Sequence, residues 1–190
     1  MELYALAKYV HLLALVVAAG VTAVTKLAVA RRARARTVGE ALDWHVTLLS
    51  AARLFPLCLV VFLLSGGYML SVTHAMRSPF AISGLVGVVL LFASGTFLGV
   101  KGGALKKVLE GIAAKGADQP APKMVPPASI AMLPTINTGI ALAVALVMVV
   151  KPATVAVALG IVAAGIVLGA LAAPKVPKAV VAQPAVATEG

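Results

Sequence analysis

The chain alternates between long apolar stretches and short polar clusters, and the apolar stretches are of membrane length. A helix rising 1.5 Å per residue needs about 20 apolar residues to cross roughly 30 Å of hydrocarbon. The first such stretch runs from Tyr4 to about Ala30 and stops at Arg31, Arg32, Arg34 and Arg36. The second runs from about Trp44 to Val72, with Arg53 and Pro56 inside it, and the third from about Phe80 to Val100. A segment of helical composition from Lys101 to Lys115 follows, too charged to span. Four prolines between Gly116 and Pro127 mark a linker, because proline cannot sustain a hydrogen-bonded ladder. The fourth stretch covers about Ser129 to Val150, and Lys151-Pro152 separates it from a fifth, about Ala153 to Ala173. Residues 174–190 read as a flexible tail.

These runs are continuous rather than alternating and about twice the length of a membrane β-strand, so they predict helices. The expected fold is an all-α, polytopic membrane bundle of five transmembrane helices forming one domain over residues 1–173. Composition agrees: 62% of the 190 residues are hydrophobic and 12% charged, against about 25% charged in a soluble domain. The net charge of +10 might suggest nucleic acid in a soluble chain, but here the basic residues lie between apolar runs. No nucleic-acid partner is expected. The first run has Glu2 ahead of it and Lys8 near its start, is long, and meets a polybasic stop, which predicts a retained helix rather than a cleaved signal.

Charge also fixes an orientation. With five crossings, twelve Lys and Arg fall on one side (Lys26 to Arg36, Lys101 to Lys123, Lys175 and Lys178) and three on the other (Lys8, Arg77 and Lys151). Basic residues accumulate on the cytoplasmic side, so the N-terminus is predicted outside and the C-terminus inside. Arg31, Arg32, Arg34 and Arg36 then meet the anionic headgroups of the inner leaflet. The surrounding partners are the lipid bilayer and other membrane subunits.

Helices in lipid associate by close packing of small residues. Gly95/Gly99 and Gly165/Gly169 both have GxxxG spacing, which fits packing inside the bundle or, for the fifth helix, a homodimer face. Gly66-Gly67 allows close approach or a bend, Pro56 predicts a kink beside Arg53, and Cys58 reads as a small packing residue.

Few polar residues remain inside the predicted spans. Arg53 and Asn137 both lie roughly 12 Å from the inner boundary by helical rise, and Asn137 should face the bundle. A guanidinium at that depth costs on the order of 3 kcal/mol, and no carboxylate of the chain falls there. Two fates are open to it: snorkelling to the interface, or meeting an anion such as a lipid headgroup or a cofactor propionate. His45 begins the second span, where an interfacial role is expected. Only His11 and His74 share the outer side, and paired imidazoles are how helical bundles hold b-type haem. His11 is expected to hydrogen-bond within the bundle, and His74 to sit in a wet loop. No HExxH, CxxC, phosphate loop or nucleophile–base set occurs, so no enzyme is predicted.

Two segments carry a family likeness. The opening KYVHLLALVVAAG, with His11 followed by Gly20, resembles the first helix of small bacterial membrane proteins related to the copper-resistance D domain. The run NTGIALAVALVMVVKP, from Asn137 to Pro152, is similar to a late helix of the same group. The resemblance implies a multi-pass protein of the bacterial inner membrane, with a role in copper handling or a haem carried between helices. His11 is the one residue that carries over as a possible ligand. A haem on His11 could reach Arg53 with its propionates, but mid-bilayer offers those groups no water, so no cofactor is favoured. The expected function is a non-enzymatic structural or accessory subunit of a membrane assembly. The alternatives are a haem- or copper-handling protein using His11 and Arg53, and a small transporter built on Arg53 and Asn137.

Overall fold

The computed structural model describes residues 2–122 and 128–173, so the tail and the last residues of the proline-rich linker lie outside it. Six α-helices occur among the described residues: α1 (Glu2–Ala33), α2 (Val38–Ala52), α3 (Leu54–Val72), α4 (Pro79–Ala113), α5 (Ala128–Val150) and α6 (Val155–Leu171). Four apolar runs are long enough to cross a membrane, with α2 and α3 together making the run Val38–Val72. The fifth, α6, is shorter: its 17 residues give a length of about 26 Å.

Each break has a local cause. Arg34–Thr37 ends α1, and Thr37 caps α2 by accepting the Glu40 backbone N–H at 3.2 Å, while Glu40 accepts the Arg36 N–H at 3.0 Å. Arg53 separates α2 from α3 three residues before Pro56, which cannot donate back to Ala52. Pro79 opens α4 in the first turn, where no intrahelical donor is needed. After α5, Lys151 adopts a φ of 49° and Thr154 caps α6.

Several boundaries differ from expectation. The second run starts at Val38 rather than Trp44, because the capping box lies six residues ahead of the apolar signal. The third does not end at Val100: α4 continues through the charged segment to Ala113, giving a rod of about 52 Å, longer than the roughly 30 Å of a bilayer's hydrocarbon. The linker is partly ordered. Val38 and Gly39 donate backbone N–H groups to Gln119 and Ala117, and Ala121 donates to Arg36, each at 2.9 Å. Residues after α4 are thereby strapped across the α1–α2 turn.

α2 and α3 continue one another and together pack on α1, and α4 packs on α2 and on the α5–α6 hairpin. Most buried positions are small or β-branched, Leu109 and His45 being exceptions. Ala14, Val21 and Ala28 repeat every seven residues on α1, and Ile140, Ala143 and Val147 line α5. That seven-residue period suits close packing at shallow crossing angles. Large apolar side chains instead point outward, Leu64 and Val149 among them. So much exposed apolar surface is compatible with a multi-pass membrane protein.

The glycine pairs divide. A Cβ on Gly165 would lie 2.5 Å from the Gly139 carbonyl oxygen, and one on Gly169 would lie 2.7 Å from Ile136 Cα. The α5 and α6 backbones therefore touch, and Gly165/Gly169 packs the hairpin rather than a homodimer face. Gly95 and Gly99 have nothing within 4 Å of an added Cβ, so internal packing does not explain them. Cys58 is buried, in keeping with a packing role.

Candidate functional site

Polar side chains inside the bundle sort into three levels, each bridging helices. At the basic end, His45 is 1% exposed between α1, α2 and α4. Its Nδ1 lies 2.7 Å from an Nη of Arg32 and its Nε2 2.9 Å from the Gly102 carbonyl oxygen. Beyond the expected place at the start of the second span, the residue is buried and joined to two other helices. The signal was present in the spacing: Val38, Ala41 and His45 fall on one helical face, and all three are buried. What the spacing cannot supply is the partner, thirteen residues earlier on another helix.

The middle level joins α4 to α5. Ser94 Oγ and the Asn137 side-chain amide are hydrogen-bonded at 2.7 Å, so Asn137 faces α4. Arg53 belongs to the same level. His45 is level with Gly102, and Arg53 and Ser94 each lie eight residues further in the same direction, about 12 Å along their helices. Arg53 nevertheless does not join Asn137. Its residue is exposed, and its side chain has no hydrogen-bond or ion-pair partner among the described residues.

At the other end His11 meets Ser65 of α3, Nδ1 to Oγ at 2.9 Å, with Phe62 edge-on at 5.0 Å. Ser65 spends its hydroxyl proton on the Val61 carbonyl, so His11 Nδ1 is the donor and Nε2 carries the lone pair. Gly66 makes room, since a Cβ there would sit 3.4 Å from the imidazole. Toward the N-terminus of α1 opens an apolar cleft of about 340 Å³, lined by Leu3, Leu6, Val10, Leu64 and Tyr68 among others.

The residues at this level do not fit a haem clamped by two imidazoles. His74 follows the end of α3, nine residues beyond Ser65, or about 13 Å along the axis. Among the described residues no group of three His, Cys, Asp or Glu side chains could hold a metal ion. Buried side-chain polar atoms there all have partners, which leaves no orphaned donor or acceptor aimed at a ligand. No family model, curated protein or solved structure matches this chain, so the copper-resistance D likeness rests on the residues that carry it.

Proposed function

We propose that the protein is a non-enzymatic accessory subunit of a bacterial inner-membrane assembly, and that Arg53 is where another chain binds it. One observation carries this. Arg53 lies on the outward surface about 12 Å beyond the level of His45, at the level of Ser94, and no carboxylate among the described residues pairs with it. A guanidinium facing lipid tails there costs on the order of 3 kcal/mol or more. A carboxylate on a neighbouring subunit removes that cost and makes the contact specific. The open Gly95/Gly99 surface of α4 supports the same reading, because small residues let a second helix approach closely.

The proposal includes five crossings with the N-terminus outside. Hairpin order brings nine of the described basic residues (Lys26, Arg31, Arg32, Arg34, Arg36, Lys101, Lys106, Lys107 and Lys115) toward one end, and Lys8, Arg77 and Lys151 toward the other. The richer end is the cytoplasmic one by the positive-inside rule, with anionic headgroups around Arg31 to Arg36. Tilt is not required of α6, whose deficit of a few Å is met by local thinning. Photocross-linking from position 57, one turn from Arg53, tests the subunit reading, because a partner chain and a lipid give adducts of very different mass.

A further inference from the structure

The junction of α1, α2 and α4 holds an arginine that forms no ion pair with a carboxylate among the described residues. Arg32, in the last turn of α1, donates one N–H to His45 Nδ1 at 2.7 Å. The other ring nitrogen faces the Gly102 carbonyl, which can only accept, so Nε2 carries the proton and Nδ1 the lone pair. The imidazole is thus neutral. It fixes the position of the guanidinium without cancelling its charge.

Nothing else nearby cancels it. Among the described residues the one carboxylate ion pair is Lys106–Glu110 at 3.2 Å, and Glu40 is turned to the Arg36 backbone. Of the five guanidinium N–H groups of Arg32, four have no acceptor among the described residues. Arg31 stands beside it with its guanidinium carbon 5.9 Å from the Trp44 ring centroid. Lys106 lies one turn past Gly102 on α4. Trp44 is the chain's single tryptophan, a residue type enriched at headgroup depth.

We infer that Arg32, held in place by His45 and flanked by Arg31, is a phosphate-binding site at the basic end of the bundle. This deepens the headgroup reading above and rests on it. The planar fork of arginine matches two phosphate oxygens, whereas a lysine offers a point charge. Arg34 and Arg36 carry the same charge but are exposed, and no side chain holds their guanidinium groups. The site therefore ranks one arginine of four above the rest. His45 is its positioning residue, and the bound phosphate ties the end of α1 to α2 and α4.

The test is native mass spectrometry of the full chain in non-ionic detergent, titrated with phosphatidylglycerol and separately with phosphatidylcholine. The first phosphatidylglycerol should bind about tenfold more weakly to Arg32→Lys and to His45→Leu. His45→Gln should bind as the parent does, because its amide oxygen can accept from Arg32 while its NH2 donates to Gly102. A double Arg34→Gln, Arg36→Gln variant should also stay close to the parent. Displacement of the lipid by inorganic phosphate assigns the site to a soluble phosphate, and persistence of the lipid assigns it to the headgroup. Parental affinity in Arg32→Lys, or equal weakening in the Arg34/Arg36 variant, overturns the site while leaving the headgroup reading intact. A parent without preference for phosphatidylglycerol overturns both. Arg32→Lys retains a donor for His45, so it keeps the test valid if His45→Leu does not fold.

Discussion

Replacing Gly165 by alanine should pry the α5–α6 hairpin apart. The new Cβ would lie 2.5 Å from the Gly139 carbonyl oxygen and 2.6 Å from Ala143 Cβ, where ordinary contact begins at 3.4 Å. Neither neighbour is the end of a flexible side chain, so the helices must separate by about 1 Å along much of their shared face. Overpacking of this kind costs about 1–3 kcal/mol. A midpoint of about 2 kcal/mol lowers the folded-to-unfolded ratio roughly thirtyfold and the melting temperature by about 4–8 °C. Gly160 is the control, because a Cβ there meets nothing within 4 Å. Unfolding of both variants in mixed micelles, followed by circular dichroism, reads the difference. If Gly165→Ala melts with Gly160→Ala, the backbone contact between α5 and α6 does not exist as described.

Topology and cofactor content give two further expectations. In a chain whose own Cys58 is replaced, cysteines at Arg77 and Lys151 should react with an impermeant reagent added outside intact cells, and one at Arg34 should not; labelling at Arg34 would refute the orientation. His11→Ala should leave the visible absorption spectrum and copper content unchanged, since His11 bonds Ser65 and has no second imidazole beside it; loss of a Soret band or of bound copper would restore the haem or copper reading.

The helical class was legible because it depends on run length alone, and the polar breaks at Arg34 and Lys151-Pro152 stand where the chain turns. Helix ends were less legible. Hydropathy marks where apolar residues begin, whereas α2 starts at the Thr37–Glu40 cap and α4 ends where its charged helix does. Helix faces were the least legible. In this bundle the buried positions are mostly small, while most leucines and most valines point outward, so apolar residues ring every helix and no amphipathic stripe reports the buried side. The same physics split the two GxxxG pairs: identical spacing packs tightly on α6 and stands open on α4, because a neighbour and not the motif decides. The partners of His45 were illegible for a different reason. Its function in the junction comes from Arg32 and Gly102, which only the tertiary fold brings to it.

The central claim is that a protein partner covers Arg53, and cross-linking from its neighbour on α3 tests it most directly. Leu57 is 60% exposed one turn from Arg53, and Leu64 is 70% exposed two turns further on. A photoreactive residue at position 57, activated in intact membranes, should give an adduct heavier by one defined protein. That adduct should vanish in an otherwise identical chain carrying Arg53→Gln, and it should be absent or much weaker from position 64. Lipid-mass adducts alone from position 57, unchanged by Arg53→Gln, would contradict the account and leave Arg53 as a charge that snorkels to the interface.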